Sequence, residues 1–230
     1  MLRALVDTRS TRVVAGLTLG VLYSVVRMGG LPASASPKPM CHGHVGTIIG
    51  TSHADNLHGT AGRDVIVAEG GNDVVHGNGG NDIICGGQGK DKLAGGLGTD
   101  FIAGGAGVDT IAGDLGDDTL KGDDGGDSIE GDAGDDTLLG NANDDTLEGD
   151  EGNDTIVGGL GDDTLEGDAG NDDLQGDDGD DSLDGGEGQD SEHGGSGDDS
   201  AVCDSTQSDD CQDDEAEVDD EAELSAGASL

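Results

Sequence analysis

From Leu57 to Leu183 a Leu, Ile or Val stands at every ninth position, fifteen times without insertion or deletion, and the residues between are mostly Gly or polar. The next two places in phase hold Glu192 and Ala201, so the apolar series weakens there. A period of nine fits neither an amphipathic helix nor one long alternating strand. It marks small units that bury their apolar face only by stacking on one another. Within a unit, the first six residues, such as Gly158 to Asp163, form a turn that Gly permits. The last three, such as Thr164 to Glu166, form a very short strand whose middle side chain faces inward. One unit is half a coil, so two units close a coil of 18 residues. The pattern predicts an all-β solenoid, with two parallel sheets enclosing a thin aliphatic ladder and ends that need capping. A fray is expected after Leu183, because Glu192 puts a charge at an inward place.

The sixth place of every unit is Asp. The series runs Asp55, Asp64, Asp73, Asp82, Asp91, Asp100, Asp109, Asp118, Asp127, Asp136, Asp145, Asp154, Asp163, Asp172, Asp181, Asp190 and Asp199. Gly opens each unit except at Ala68, and holds the fourth place except at His53 and Asn143. One Asp in a Gly-rich turn is ordinary turn chemistry. Seventeen in unbroken phase are something else. The units follow G-G-x-G-x-D-x-U-x, and residues 50–202 resemble the hemolysin-type (RTX) calcium-binding nonapeptide repeat family, here as a secreted, stand-alone chain. The resemblance implies a parallel β-roll with Ca²⁺ in the turns of successive coils. The seventeen Asp would supply carboxylate oxygens and the Gly turns main-chain carbonyls. Calcium takes six to eight hard oxygen ligands in a flexible shell, whereas magnesium demands tighter octahedral geometry. Turns touching Ala68, His53 and Asn143 should hold weaker sites.

Charge points the same way. The formal net charge is −43, no Lys or Arg follows Lys121, and 47 Gly accompany a single Phe and a single Tyr. By composition alone such a chain belongs with disordered ones. Periodicity and an added cation are what can order it. Nucleic acid and anionic membrane surfaces carry the wrong sign to be partners. Polyvalent cations carry the right one.

Outside the array the chain is short. Residues 1–12 carry three Arg, Val13 to Val26 form an apolar run, and Ala33-Ser34-Ala35 supplies small residues before Ser36-Pro37. This predicts a secretory signal over residues 1–35, with an uncleaved anchor as the alternative, although a span needs about 20 apolar residues. Export would leave a mature chain with no membrane insertion. Residues 36–49 then read as an amino-terminal capping segment, and residues 203–230 as a staple and acidic disordered tail. Four Cys allow three pairings. A local Cys203–Cys211 bridge would staple the end of the roll and leave Cys41 for Cys85. Val65, Ile83 and Phe101 form an outward apolar row, with Val67, Cys85 and Ala103 beside it. Either residues 41–49 cover this strip or a partner does.

Smaller features have plain explanations. His58 and His76 should be neighbours on one sheet face, but no closed set of metal ligands surrounds them. Outward Thr and Ser rows, such as Thr110, Ser128, Thr146, Thr164 and Ser182, suit strands without any function. No catalytic constellation stands apart from the repeats, so the chain is expected not to be an enzyme. The leading expectation is an extracellular calcium-binding protein that folds as it meets calcium on export. The rival is a calcium-rigidified structural or adhesive module that binds a cell-wall or glycan partner.

Overall fold

The computed structural model describes residues 38–202 and 210–212. The expected signal segment and acidic tail lie outside the described residues, and of the expected Cys203–Cys211 pair only the backbone of Cys211 is among them.

The nine-residue period folds as a parallel β-roll. Among the described residues, nine strands from Asn56–His58 to Ser200–Val202 form one sheet, and ten from Ile48–Ile49 to Asp210–Gln212 form the other. Within the array the partners are 18 residues apart: Ile111 lies beside Leu93 and Ile129 in one sheet, Ile102 beside Ile84 and Leu120 in the other. The aliphatic ladder lies between the sheets and is buried from Ile66 to Leu183. Ile48 and Leu57 pack on its amino-terminal end and Ala201 on its other end. Ile48 sits nine residues before Leu57, so the inward row starts one step earlier than the Asp series does.

The strands differ from expectation in length. Many span six residues, as in Ile83–Gln88, Lys92–Leu97 and Thr119–Asp124, so they run on through the first three residues of the following unit. The cause is that these residues also find partners one coil away: Asn78 and Gly79 stand in register with Gly96 and Leu97. The tight part of each turn is therefore about the fourth to sixth places, residues 89–91 between two of these strands.

The roll does not fray after Leu183. Ser191–Ser196 pairs with Asp173–Asp178 on one side and Asp210–Gln212 on the other. Glu192 occupies the inward row at 1% exposure. Its Oε1 accepts a hydrogen bond from the Gly185 amide at 2.6 Å, and the small Ala201 side chain is the next in the apolar series. A hydrogen-bonded carboxyl can be buried where an unpartnered one could not.

The amino-terminal segment lies against the larger sheet. Met40–Cys41 and His44–Val45 form an antiparallel pair, and Cys41 is bonded to Cys85 with a Cα–Cα distance of 5.8 Å. Cys41 packs with Val65, Val67 and Ile83 into a buried cluster, bordered by Cys85 and Phe101. His42 adds a ring contact to Phe101 at 4.1 Å between centroids. The chain's own segment thus covers the Val65, Val67 and Ile83 part of the outward apolar strip.

Candidate metal centre

The roll places the sixth-place aspartates in two rows, one along each edge, because successive units turn at opposite edges. Asp73, Asp91, Asp109 and Asp127 follow one another in the first row; Asp82, Asp100, Asp118 and Asp136 follow in the second. From Asp73 to Asp190 every one is nearly fully buried, Asp64 is 8% exposed, and Asp55 and Asp199 at the two ends are half-buried.

Each carboxylate has two different sides. From Asp73 onward, Oδ1 accepts a hydrogen bond from the amide of the Asp 18 residues earlier, at 2.7 Å for Asp100 with Asp82 and for Asp136 with Asp118. This charge-assisted bond ties each coil to the next. Oδ2 is buried without a hydrogen-bond partner in Asp73, Asp82, Asp91, Asp100, Asp109, Asp118, Asp127, Asp136, Asp145, Asp154, Asp163, Asp172, Asp181 and Asp199. An orphaned carboxylate oxygen is costly to bury, and a row of them is a demand for positive charge.

At most of these turns, what faces Oδ2 is a bare glycine and another acceptor. A Cβ on Gly77 would sit 2.4 Å from the Gly95 carbonyl oxygen and 2.6 Å from Asp82 Oδ2. On Gly122 it would sit 2.3 Å from Asp127 Oδ2 and 2.9 Å from the Gly140 carbonyl oxygen. Gly opens the unit because any side chain there would fill the space that these oxygens border. Gly at the fourth place has another reason. Gly107 has φ +140°, and a Cβ there would lie 1.6 Å from the Gly89 carbonyl oxygen of the preceding coil. Hard oxygens that converge on space without a donor fit a hard divalent cation.

Burial and crowding raise the pKa values of these carboxyls. Burial pushes the carboxyls of Asp118, Asp145 and Asp172 up to about 7 from an ordinary 3.8, against the lowering effect of the amide each accepts; neighbouring carboxylates add to the rise. Asp82, Asp91, Asp109, Asp136, Asp154 and Asp163 are raised to about 6 for the same reasons. Asp100, Asp127 and Asp181 shift in the same direction.

The seventeen aspartates do not gather into carboxylate triads. Among the described residues, the side chains close enough for that are Glu148, Glu166 and Asp168, on the outward face, all within 4.8 Å of one another. Sequence reasoning passed over them, although Glu130, Glu148, Glu166 and Asp184 recur at a spacing of 18 and their alignment was readable. Crowding shows in Glu148, which burial and then Asp150, Asp168, Glu130 and Glu166 push up. His58 and His76 stack at 5.2 Å, on neighbouring strands as their spacing requires.

Fold and carboxylate rows together define a class: acidic parallel β-solenoids whose turns bring carboxylate and main-chain oxygens together. The chain belongs to the RTX calcium-binding nonapeptide repeat family, whose four-copy profile matches residues 49–84, 86–120, 121–156, 139–174, 157–192 and 166–201. No curated protein matches the chain. Among the described residues no helix is long and apolar enough to cross a membrane.

Proposed function

We propose that this protein binds calcium outside the cell through the sixth-place aspartates, and that calcium is what folds the roll after export. The observation that carries the reading is the row of buried Oδ2 atoms without donors, each from Asp82 onward beside a bare Gly and, at most turns, a main-chain carbonyl from the coil that follows. Asp Oδ2 and those carbonyls would hold the ion. Oδ1 keeps its amide bond and orients the carboxylate. The bound ion supplies charge neutralisation and a cross-link between coils. The core supports this dependence, since one buried aliphatic side chain per nine ordered residues is a thin return against chain entropy.

Export is supported by the amino-terminal pattern of Arg, apolar run and Ala33-Ser34-Ala35. Residues 36–230 carry 51 acids against five cations, a formal charge of −46, so self-repulsion keeps the chain expanded where calcium is scarce. Extracellular calcium modules bind at about 10⁻⁴ to 10⁻³ M, a range that separates the two sides of a cell boundary. The reading is tested by the hydrodynamic radius of the exported chain with calcium and with excess chelator. A radius that falls several-fold less than the unfolded-to-folded ratio, or not at all, on adding calcium would overturn it.

A further inference from the structure

We propose that the first two turns of the roll hold no calcium, because Thr51 and Thr60 give Oδ2 there the hydrogen bonds whose place a cation takes elsewhere. The inference rests on the reading of the sixth-place aspartates as calcium ligands. In the second unit, the Thr60 amide donates to Asp64 Oδ2 at 2.7 Å and the Thr60 hydroxyl reaches the same oxygen at 2.9 Å. The first unit repeats this: the Thr51 amide and hydroxyl lie 2.6 and 2.9 Å from Asp55 Oδ2. Each Thr hydroxyl is fixed from its other side, since the amides of His53 and Gly62 donate to it at 3.2 Å.

The backbone changes at the same boundary. The second place is not left-handed at Thr51 or Thr60, but it is in every later unit, from Glu69 (φ 74°) and Asn78 (φ 74°) to Gly195 (φ 112°). Asp73 is likewise the first aspartate whose Oδ2 is left without a donor. The rest of the cradle is already present in the second unit. A Cβ on Gly59 would lie 2.4 Å from the Gly77 carbonyl oxygen and 3.1 Å from Asp64 Oδ2, much as in the calcium-type turns. The hydroxyl and its turn are thus what set this unit apart. With Cys41–Cys85 pinning the segment that lies over it, this end of the roll has its carboxylates satisfied without metal and offers a formed edge on which calcium-loaded coils stack.

The test counts calcium ions per chain by native mass spectrometry of the full chain in saturating calcium. Thr60→Gly restores the G-G-x-G-x-D pattern and gains one ion, whereas Thr60→Ser, which keeps the hydroxyl, has the wild-type count. Asp64→Asn also keeps the wild-type count, while Asp118→Asn lowers it. A wild-type count in Thr60→Gly, or a lost ion in Asp64→Asn, overturns the inference and leaves the calcium reading standing if Asp118→Asn still loses ions. A wild-type chain that takes up no calcium overturns both.

Discussion

The amino-terminal end of the roll and its middle share one period and one ladder, yet the second oxygens of their carboxylates have different surroundings. Near the amino end, Asp55 and Asp64 are satisfied by Thr hydroxyls and amides, an outward apolar face is covered, and a disulfide crosses 44 residues. From Gly122 onward there is no Lys or Arg, and the aspartates from Asp127 to Asp181 keep orphaned oxygens. The difference shows that a nonapeptide repeat specifies a shape but not the source of its stability. Apolar burial and hydroxyl donors serve one end; on the proposed reading, the remainder relies on an ion.

The largest effect should come from removing calcium, read region by region. Hydrogen exchange in excess chelator is expected to abolish protection from about Gly122 to Val202, while amides bonded around Val65 and Val67 retain some. Uniform loss or uniform retention across both regions would break the comparison.

Acid should substitute for calcium in part. Carboxyls raised to about 6 or 7 in the fold, from an ordinary 3.8, favour the folded state fully below about pH 4, and that contribution is lost as pH rises through 6 to 7. The metal-free chain should therefore gain β-structure on acidification from pH 8 to 5. Calcium should also bind more weakly below about pH 6, where protons compete for the same oxygens. A metal-free chain that loses structure monotonically between pH 8 and 5 would contradict the sign.

Covalent and carboxylate changes should then separate the two regions. Replacing Cys41 and Cys85 by Ser removes a closure worth about 4 kcal/mol by chain entropy, which would raise the calcium midpoint and erase the residual protection of the amino end. Asp118→Ala removes a proposed cation ligand and the acceptor for the Asp100 amide, about 1–3 kcal/mol for the orphaned donor alone. Asp199→Ala removes the acceptor for the Asp181 amide at a half-buried end, so its effect should be clearly smaller. Equal shifts of the calcium midpoint in Asp118→Ala and Asp199→Ala would argue against ions shared along the stack.

Much of this architecture was legible because a strict period leaves little freedom. The phase of Leu57 to Leu183 gave the ladder, the 18-residue register gave the sheets, and setting Cys203 with Cys211 left Cys85 as the disulfide partner of Cys41. The rest depended on contacts that a period does not encode. The strands lengthen because Gly and Asn in the first three places still pair one coil away. Glu192 stays in the stack because the Gly185 amide reaches it across seven residues. Thr51 and Thr60 look like any turn residue until Asp55 and Asp64 are seen folded back on them.

The central claim is that calcium held by the aspartate rows folds the roll. Far-ultraviolet circular dichroism of residues 36–230 across a calcium titration tests it most directly. The account predicts a largely unordered spectrum in chelator that converts to β-structure along a sigmoidal curve, with a midpoint at about 10⁻⁴ to 10⁻³ M, since each coil stabilises its neighbour. A full β-spectrum in excess chelator, unchanged by calcium, would contradict it.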